Sequence, residues 1–256
     1  MGDTDTILSA DIDRRFAGMS RLYGANTAKR IQNARVAVIG IGGVGSWSVE
    51  ALARSGVSHL TLIDMDHVAE SNINRQIHAL TSTLGQSKVQ AMQNRIELIN
   101  PACEVRMVDD FVTPENIDSL LTDDLDILID ATDQISAKVA LAAWALNHAK
   151  PLVMVGAAGG KKLAHLVDMA DLASVTHDPL LAQVRQRLRK MGFVFSAKQP
   201  SGIHAVFSKE DITRPVVSDG VATDGNLNCH GYGSLVTVTA TFGHCAAGWV
   251  LNHFSH

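Results

Sequence analysis

The chain has 256 residues, with 22 Lys and Arg against 26 Asp and Glu and a net charge of -4. No global attraction therefore draws it to nucleic acid, and any such contact must come from a local patch. Its three cysteines, Cys103, Cys229 and Cys245, form no C-x-x-C pair, so neither a zinc ribbon nor a disulfide scaffold is implied, and a reducing, cytoplasmic setting fits.

The acidic start "MGDTDTILSADIDRR" lacks the apolar core of a signal peptide, and its match to the M-G-x-x-x-T myristoylation pattern reads as chance. Residues 11–33 read as a helical arm. "RVAVIG" reads as the first strand, "VGSWSVEALARSG" as a helix stopped at Gly56, and "HLTLID" as the second strand. "GQSKVQAMQNRIELIN" is a helix ended before Pro101, "EVRMVDDF" a third strand and "PENIDSLL" a short helix. "LDILIDATD" is a fourth strand, "AKVALAAWALNHA" its helix and "PLVMVGAAGG" a fifth strand. Strands alternating with helices predict an α/β fold with a mainly parallel sheet covered on both faces. The expected organisation is a single domain, 1–256, with the arm at 11–33, a nucleotide-binding part at 34–160, and a substrate-binding and dimer part at 161–256. "SDGVATDGNLNCHGYGS" reads as a loop. The C-terminal run "GSLVTVTATFGHCAAGWVLNHF" has membrane-span length, but His244 and its Thr and Gly residues favour a buried core or dimer helix.

The stretch "VAVIGIGGVGSWSVEALARSGVSHLTLIDMD" holds Gly40, Gly42 and Gly45 in G-x-G-x-x-G spacing, with Gly43 between them and Asp64 and Asp66 after the next strand. Strand, glycine loop, helix, strand and acid follow in the order of a nucleotide site, where the helix N-terminus offers N–H groups to phosphate. That pattern alone suits NAD. The next one does not. "SNINRQ" supplies Arg75, with Asn72 and Gln76 as neutral donors, and "GQSKV" supplies Lys88 in the first turn of a helix, against the helix dipole. A bound polyphosphate would account for both cations, whose plain alternative is solvated surface charge. Asp130 and Asp133 follow the fourth strand, where a carboxylate can hold Mg²⁺ on a triphosphate. The plain alternative for Asp133 is a helix N-cap.

"GIGGVGS", "LIDMD", "SNINRQ", "GQSKV" and "DATD", taken together, resemble the E1-like (ThiF/MoeB-like) adenylyltransferases over most of the chain. The resemblance implies a Rossmann-like E1-type fold, ATP rather than NAD in the cradle, and adenylation of a carboxylate. It assigns Asp64 to ribose, Arg75 and Lys88 to phosphates and catalysis, and Asp133 to Mg²⁺ and catalysis. Gly40, Gly42, Gly43, Gly45, Asp66, Asn72 and Gln76 complete the ATP contacts.

Sulfur-carrier-activating relatives hold zinc through two C-x-x-C pairs, which this sequence lacks. "RRFAGMSRLYG", "DMDHVAESNINRQIHAL", "VDDFVTPENI" and "LVTVTATFG" are similar instead to the tRNA threonylcarbamoyladenosine dehydratase branch. That likeness implies a tRNA bearing N6-threonylcarbamoyladenosine as substrate and a homodimer, and it admits a cysteine desulfurase/sulfur-acceptor system as partner. Activation of a ubiquitin-like sulfur carrier, and an NAD-dependent oxidoreductase, stand as the alternatives. Relatives insert an arm arginine into the partner's site, and among Arg14, Arg15 and Arg21 the last, in "RLYG", is favoured. Arg185 and Arg189 in "QVRQRLRK", with Arg187 and Lys190 nearby and Lys161 and Lys162 beyond, are the expected tRNA phosphate contacts. Cys229 reads as a bystander.

Overall fold

The computed structural model describes residues 11–213 and 232–255. The myristoylation match, most of the Gly/Asn/Asp-rich loop and Cys229 lie outside them. A seven-stranded sheet runs in the order β3-β2-β1-β4-β5-β7-β6. Its strands are β1 Arg35–Ile39, β2 His59–Ile63, β3 Glu104–Val108, β4 Ile127–Asp130, β5 Leu152–Val155, β6 Val167–Asp171 and β7 His204–Ser208. Every neighbouring pair is parallel except β6–β7. Residues beyond 160 thus continue the first sheet.

Strand periodicity sends successive side chains to opposite faces. Val36, Val38, Leu60 and Leu62 enter one core, with α3 (Gly45–Arg54), α4 (Lys88–Ile99) and the last helix, α8 (Val236–His253). Ala37 and Ile39 enter the other, with α6 (Ile135–Asn147) and α7 (Pro179–Lys190). Burial on both faces explains the unbroken apolar runs of the central strands. The short α5, Ile117–Leu120, covers the end of the second core.

The arm is two helices rather than one, α1 (Ile12–Tyr23) and α2 (Ala25–Asn33), parted at Gly24 with φ of 81°. Positive φ is cheap for glycine and ends a helix. The apolar C-terminal run forms α8, which packs on α3 so closely that the Ser48 hydroxyl donates to the Gly243 carbonyl at 3.0 Å. Among the described residues no helix is long and apolar enough to cross a membrane.

Candidate functional site

Strand order reverses between β1 and β4, and in open parallel sheets ligands bind beyond the carboxyl ends at such a point. A cavity of about 300 Å³ opens there, walled by residues that follow β1, β2, β3, β4 and β5 and by Leu180 and Thr239 from α7 and α8. The glycine loop forms its floor. Gly40 has φ of 87°, and a Cβ on it would lie 2.8 Å from the Ala131 carbonyl carbon. A Cβ on Gly45 would strike the Gly40 carbonyl oxygen, so helix and loop touch only because no side chain intervenes. Gly42 is different: the nearest side-chain atom to its hypothetical Cβ is Gln76 Nε2 at 4.0 Å. Its space belongs to the cavity.

The cavity brings Gly40, Gly42, Gly43, Asp64, Asp66, Arg75, Gln76, Lys88 and Asp133 to one wall system. Asp64 fixes the loop: its carboxylate accepts from the Ile41 amide at 2.6 Å and the Asp66 amide at 2.8 Å. Burial pushes its pKa up, against the pull of Lys88 and these amides. Lys88 is buried, with Nζ 2.6 Å from Asp66 Oδ2 and 3.8 Å from Asp64 Oδ1. Two carboxylates thus already offset the unfavourable dipole that suggested a polyphosphate. Arg75 is buried too, its guanidinium donating to the Ser71 carbonyl at 2.6 Å and to Asn74 Oδ1 at 2.8 Å. Trp47 Nε1 holds the Arg75 carbonyl at 2.9 Å. Gln76 Oε1 is buried in the wall without a hydrogen-bond partner.

Three expected ligands stand outside the lining: Gly45, which packs on the Gly40 carbonyl, Asn72 and Asp130. Asn72 is buried outside the cavity lining, and its Oδ1 accepts from the Ala69 amide at 3.0 Å, bracing the loop. Asp130 is fully buried against Lys138 at 3.2 Å and takes the Thr132 amide and hydroxyl. Asp133 faces the cavity, exposed; the N-cap of α6 is Gln134, so Asp133 is not the cap. Among the described residues it has no ion pair or hydrogen bond.

Sequence reading missed the residues that shape the β5 side. Asp178 caps α7 through the Leu181 amide and also takes the Ala157 amide at 2.9 Å. Burial raises its pKa, opposed by those amides, Lys138 and Lys161. An Asp before Pro179 signals the cap; its second contact has no local signal. Phe111, Val112 and Thr239 also line the cavity.

Of the expected tRNA contacts, Arg185 and Lys161 need correction. Arg185 turns inward, donating to the Leu172 carbonyl at 3.1 Å and the Val175 carbonyl at 2.7 Å. Arg189 is exposed but lies over the Phe195 ring, 5.1 Å from its centroid. Lys161 is buried, its ammonium held by the His177 and Glu210 carbonyls. In the arm, Arg15 donates to the Ile99 carbonyl at 2.7 Å, and Arg14, Arg15 and Arg21 are all exposed. Burial pushes the Cys103 thiol up to about 12, and that of Cys245 up as well, so neither is a nucleophile at neutral pH.

Residues 13–254 match the ThiF family model. The chain is 42% identical over 254 residues to the tRNA threonylcarbamoyladenosine dehydratase of Haemophilus influenzae, covering 98% of this chain and 97% of that one. It is also 42% identical to the Escherichia coli protein of that name over 248 residues, covering 93% and 92%. The solved structure of the Escherichia coli tRNA N6-threonylcarbamoyladenosine dehydratase in complex with ATP superimposes with a TM-score of 0.87 at 40% identity, covering 97% of each chain. The AMP complex gives 0.88 at 41% identity, covering 98% of this chain and 97% of that one. The chain belongs to the ThiF family and, within it, to the tRNA threonylcarbamoyladenosine dehydratases.

Proposed function

We propose that the chain catalyses the ATP-dependent dehydration of N6-threonylcarbamoyladenosine at tRNA position 37 to its cyclic form. The observation that carries this reading is the cavity itself, which gathers the open Gly42 backbone, Arg75, Gln76, Lys88 and the unpaired Asp133 in one place. ATP fits these residues. The amides at the start of α3 would meet its phosphates, Asp64 its ribose, and the unpartnered Oε1 of Gln76 would accept from a donor on ATP, a ribose hydroxyl or the adenine amine. Arg75 and Lys88 would take phosphate oxygens, Lys88 exchanging its contact with Asp66 for them. Phe111 and Val112 offer an apolar slot for the base, and residues 156–159 with Leu180 the opposite lobe for the modified nucleoside.

Mg²⁺ fits too. Asp133 is an unpartnered carboxylate at a strand end, and Mg²⁺ is commonly held by one or two carboxylates together with substrate phosphates. When bound it would neutralise charge on the phosphates.

In the first step a threonyl carboxylate oxygen attacks the α-phosphorus and the bond to the β-phosphate oxygen breaks. Arg75 and Lys88 stabilise the charge on the departing pyrophosphate. In the second, the carbamoyl group bonds to the acyl carbon, the bond to AMP oxygen breaks, and a proton is lost. Nucleophile and electrophile sit in one nucleoside, so effective molarity replaces an enzyme nucleophile. Cys229→Ala should accordingly retain substantial activity. A homodimer and a cytoplasmic setting belong to the same proposal. Incubating the protein with modified tRNA and digesting it to nucleosides tests the reaction. The cyclic nucleoside should form only with ATP and Mg²⁺; formation without ATP, or none with it, would overturn the proposal.

A further inference from the structure

Residues 179–209 contain no Asp or Glu, in a chain where acids outnumber bases 26 to 22. They carry Arg185, Arg187, Arg189, Lys190, Lys198 and Lys209. Three of these are engaged locally: Arg185 on backbone carbonyls, Arg189 on the Phe195 carbonyl at 3.4 Å, and Lys209 on Asp168 at 2.5 Å. The others gather at the C-terminal half of α7 and in the turn that follows. Arg187, Lys190 and Lys198 are exposed, and among the described residues none of the three side chains has an ion-pair or hydrogen-bond partner. Arg189, over Phe195, is exposed beside them. The carboxylate next to this turn, Asp171, is held by the amides of Ala173, Ser201 and Gly202.

We infer that Arg187, Arg189, Lys190 and Lys198 form a docking surface for the phosphate backbone of the tRNA whose modified base enters the cavity. The inference rests on the proposed function. Helix α7 links the two places: Leu180 lines the cavity and Lys190 ends the helix. Ten residues at helical rise separate them by about 15 Å. That is roughly four phosphates of a stacked strand at 3.4 Å each. A polyanion is the partner such a surface fits, since unpaired cations gain by releasing its counterions. Contacts of this kind fix register on the strand and leave base choice to the cavity.

The test is R187Q/K190Q/K198Q, with Arg189 kept because it packs on Phe195. Binding of modified tRNA is measured across a salt series, alongside ATP binding, the thermal midpoint and steady-state kinetics. The triple variant should bind tRNA about tenfold more weakly at low salt, with a log–log salt slope shallower by about 2–3. The KM for tRNA should rise while kcat at saturation, ATP binding and the thermal midpoint stay at wild-type values. R187K/K190R/K198R, which keeps the charges, should bind as wild type. Wild-type affinity and slope in the glutamine variant would overturn the inference, as would equal loss in the charge-keeping one. Failure of the function itself would show separately, as wild-type protein that binds tRNA yet forms no cyclic nucleoside.

Discussion

The two sides of the cavity use charge in opposite ways. On the β1–β3 side, Lys88, Asp66, Arg75 and Gln76 stand in the wall and face the space a ligand would fill. On the β4–β5 side Asp133 faces the cavity, and the other charges stand behind the wall. Asp130 and Lys138 are fully buried, and Asp178 and Lys161 nearly so. Asp130 holds the loop after β4 by the Thr132 amide, Asp178 holds the loop after β5 by the Ala157 amide, and the lysines compensate them. Under the proposed function, one side exchanges partners when the ATP phosphates arrive. The other is built to keep its partners and so to hold two loops in place.

The sharpest break is at the glycine floor. Gly45→Ala should abolish stable folding, because its Cβ meets the Gly40 carbonyl. Gly42→Ala should fold normally, with open space around its Cβ, and lose ATP affinity. Circular dichroism and calorimetric titration separate the two; a folded, ATP-binding Gly45→Ala would contradict the packing account.

The buried side can be broken next. Lys138→Met leaves Asp130 uncompensated and should cost about 3–5 kcal/mol. At roughly 2–4 °C per kcal/mol, the thermal midpoint should fall on the order of 10 °C. Adding Asp130→Asn should restore most of it. A single variant melting like wild type would show that the pair does not hold the loop.

At Asp133, the carboxylate after β4 that faces the cavity, Asp133→Ala should reduce kcat on the order of a hundredfold to a thousandfold without shifting the thermal midpoint. Wild-type turnover with unchanged Mg²⁺ dependence would remove Asp133 from the metal site.

A smaller effect sharpens the contrast near Lys88. His78 is buried with neither ring nitrogen partnered, and burial, then Lys88 and Arg95, lower its pKa from 6.5 to about 4. Between those values the unfolded chain binds the extra proton, so stability is full above pH 6.5 and falls as pH drops towards 4. The loss from this group is at most about 3 kcal/mol. Urea titrations across that window should show the slope, and His78→Leu should flatten it; an unchanged slope would assign the acid sensitivity elsewhere.

Legibility in the sequence follows the same division. The glycine loop is legible because its spacing is a statement about backbone, and Arg75, Gln76, Lys88 and Asp133 because the motifs carry them to strand ends. The first five strands and the helix at the C-terminus follow from apolar runs. What the sequence does not disclose is which partner a charge takes. The acids beside Lys88 come from the loop after β2. Arg185 and Arg187 are alike in composition, and only the carbonyls at Leu172 and Val175 decide that the first turns inward. Asn72 sits in the same motif as Arg75 yet braces the loop, because its oxygen reaches the Ala69 amide first.

The central claim is that a substrate carboxylate, not a nicotinamide or a protein terminus, reacts over the glycine loop. Modified tRNA carrying a heavy oxygen isotope in the threonyl carboxylate tests it directly. Adenylation transfers one carboxylate oxygen to the α-phosphorus, so mass spectrometry should find one labelled oxygen in AMP and none in pyrophosphate. Label-free AMP accompanying formation of the cyclic nucleoside would contradict the account.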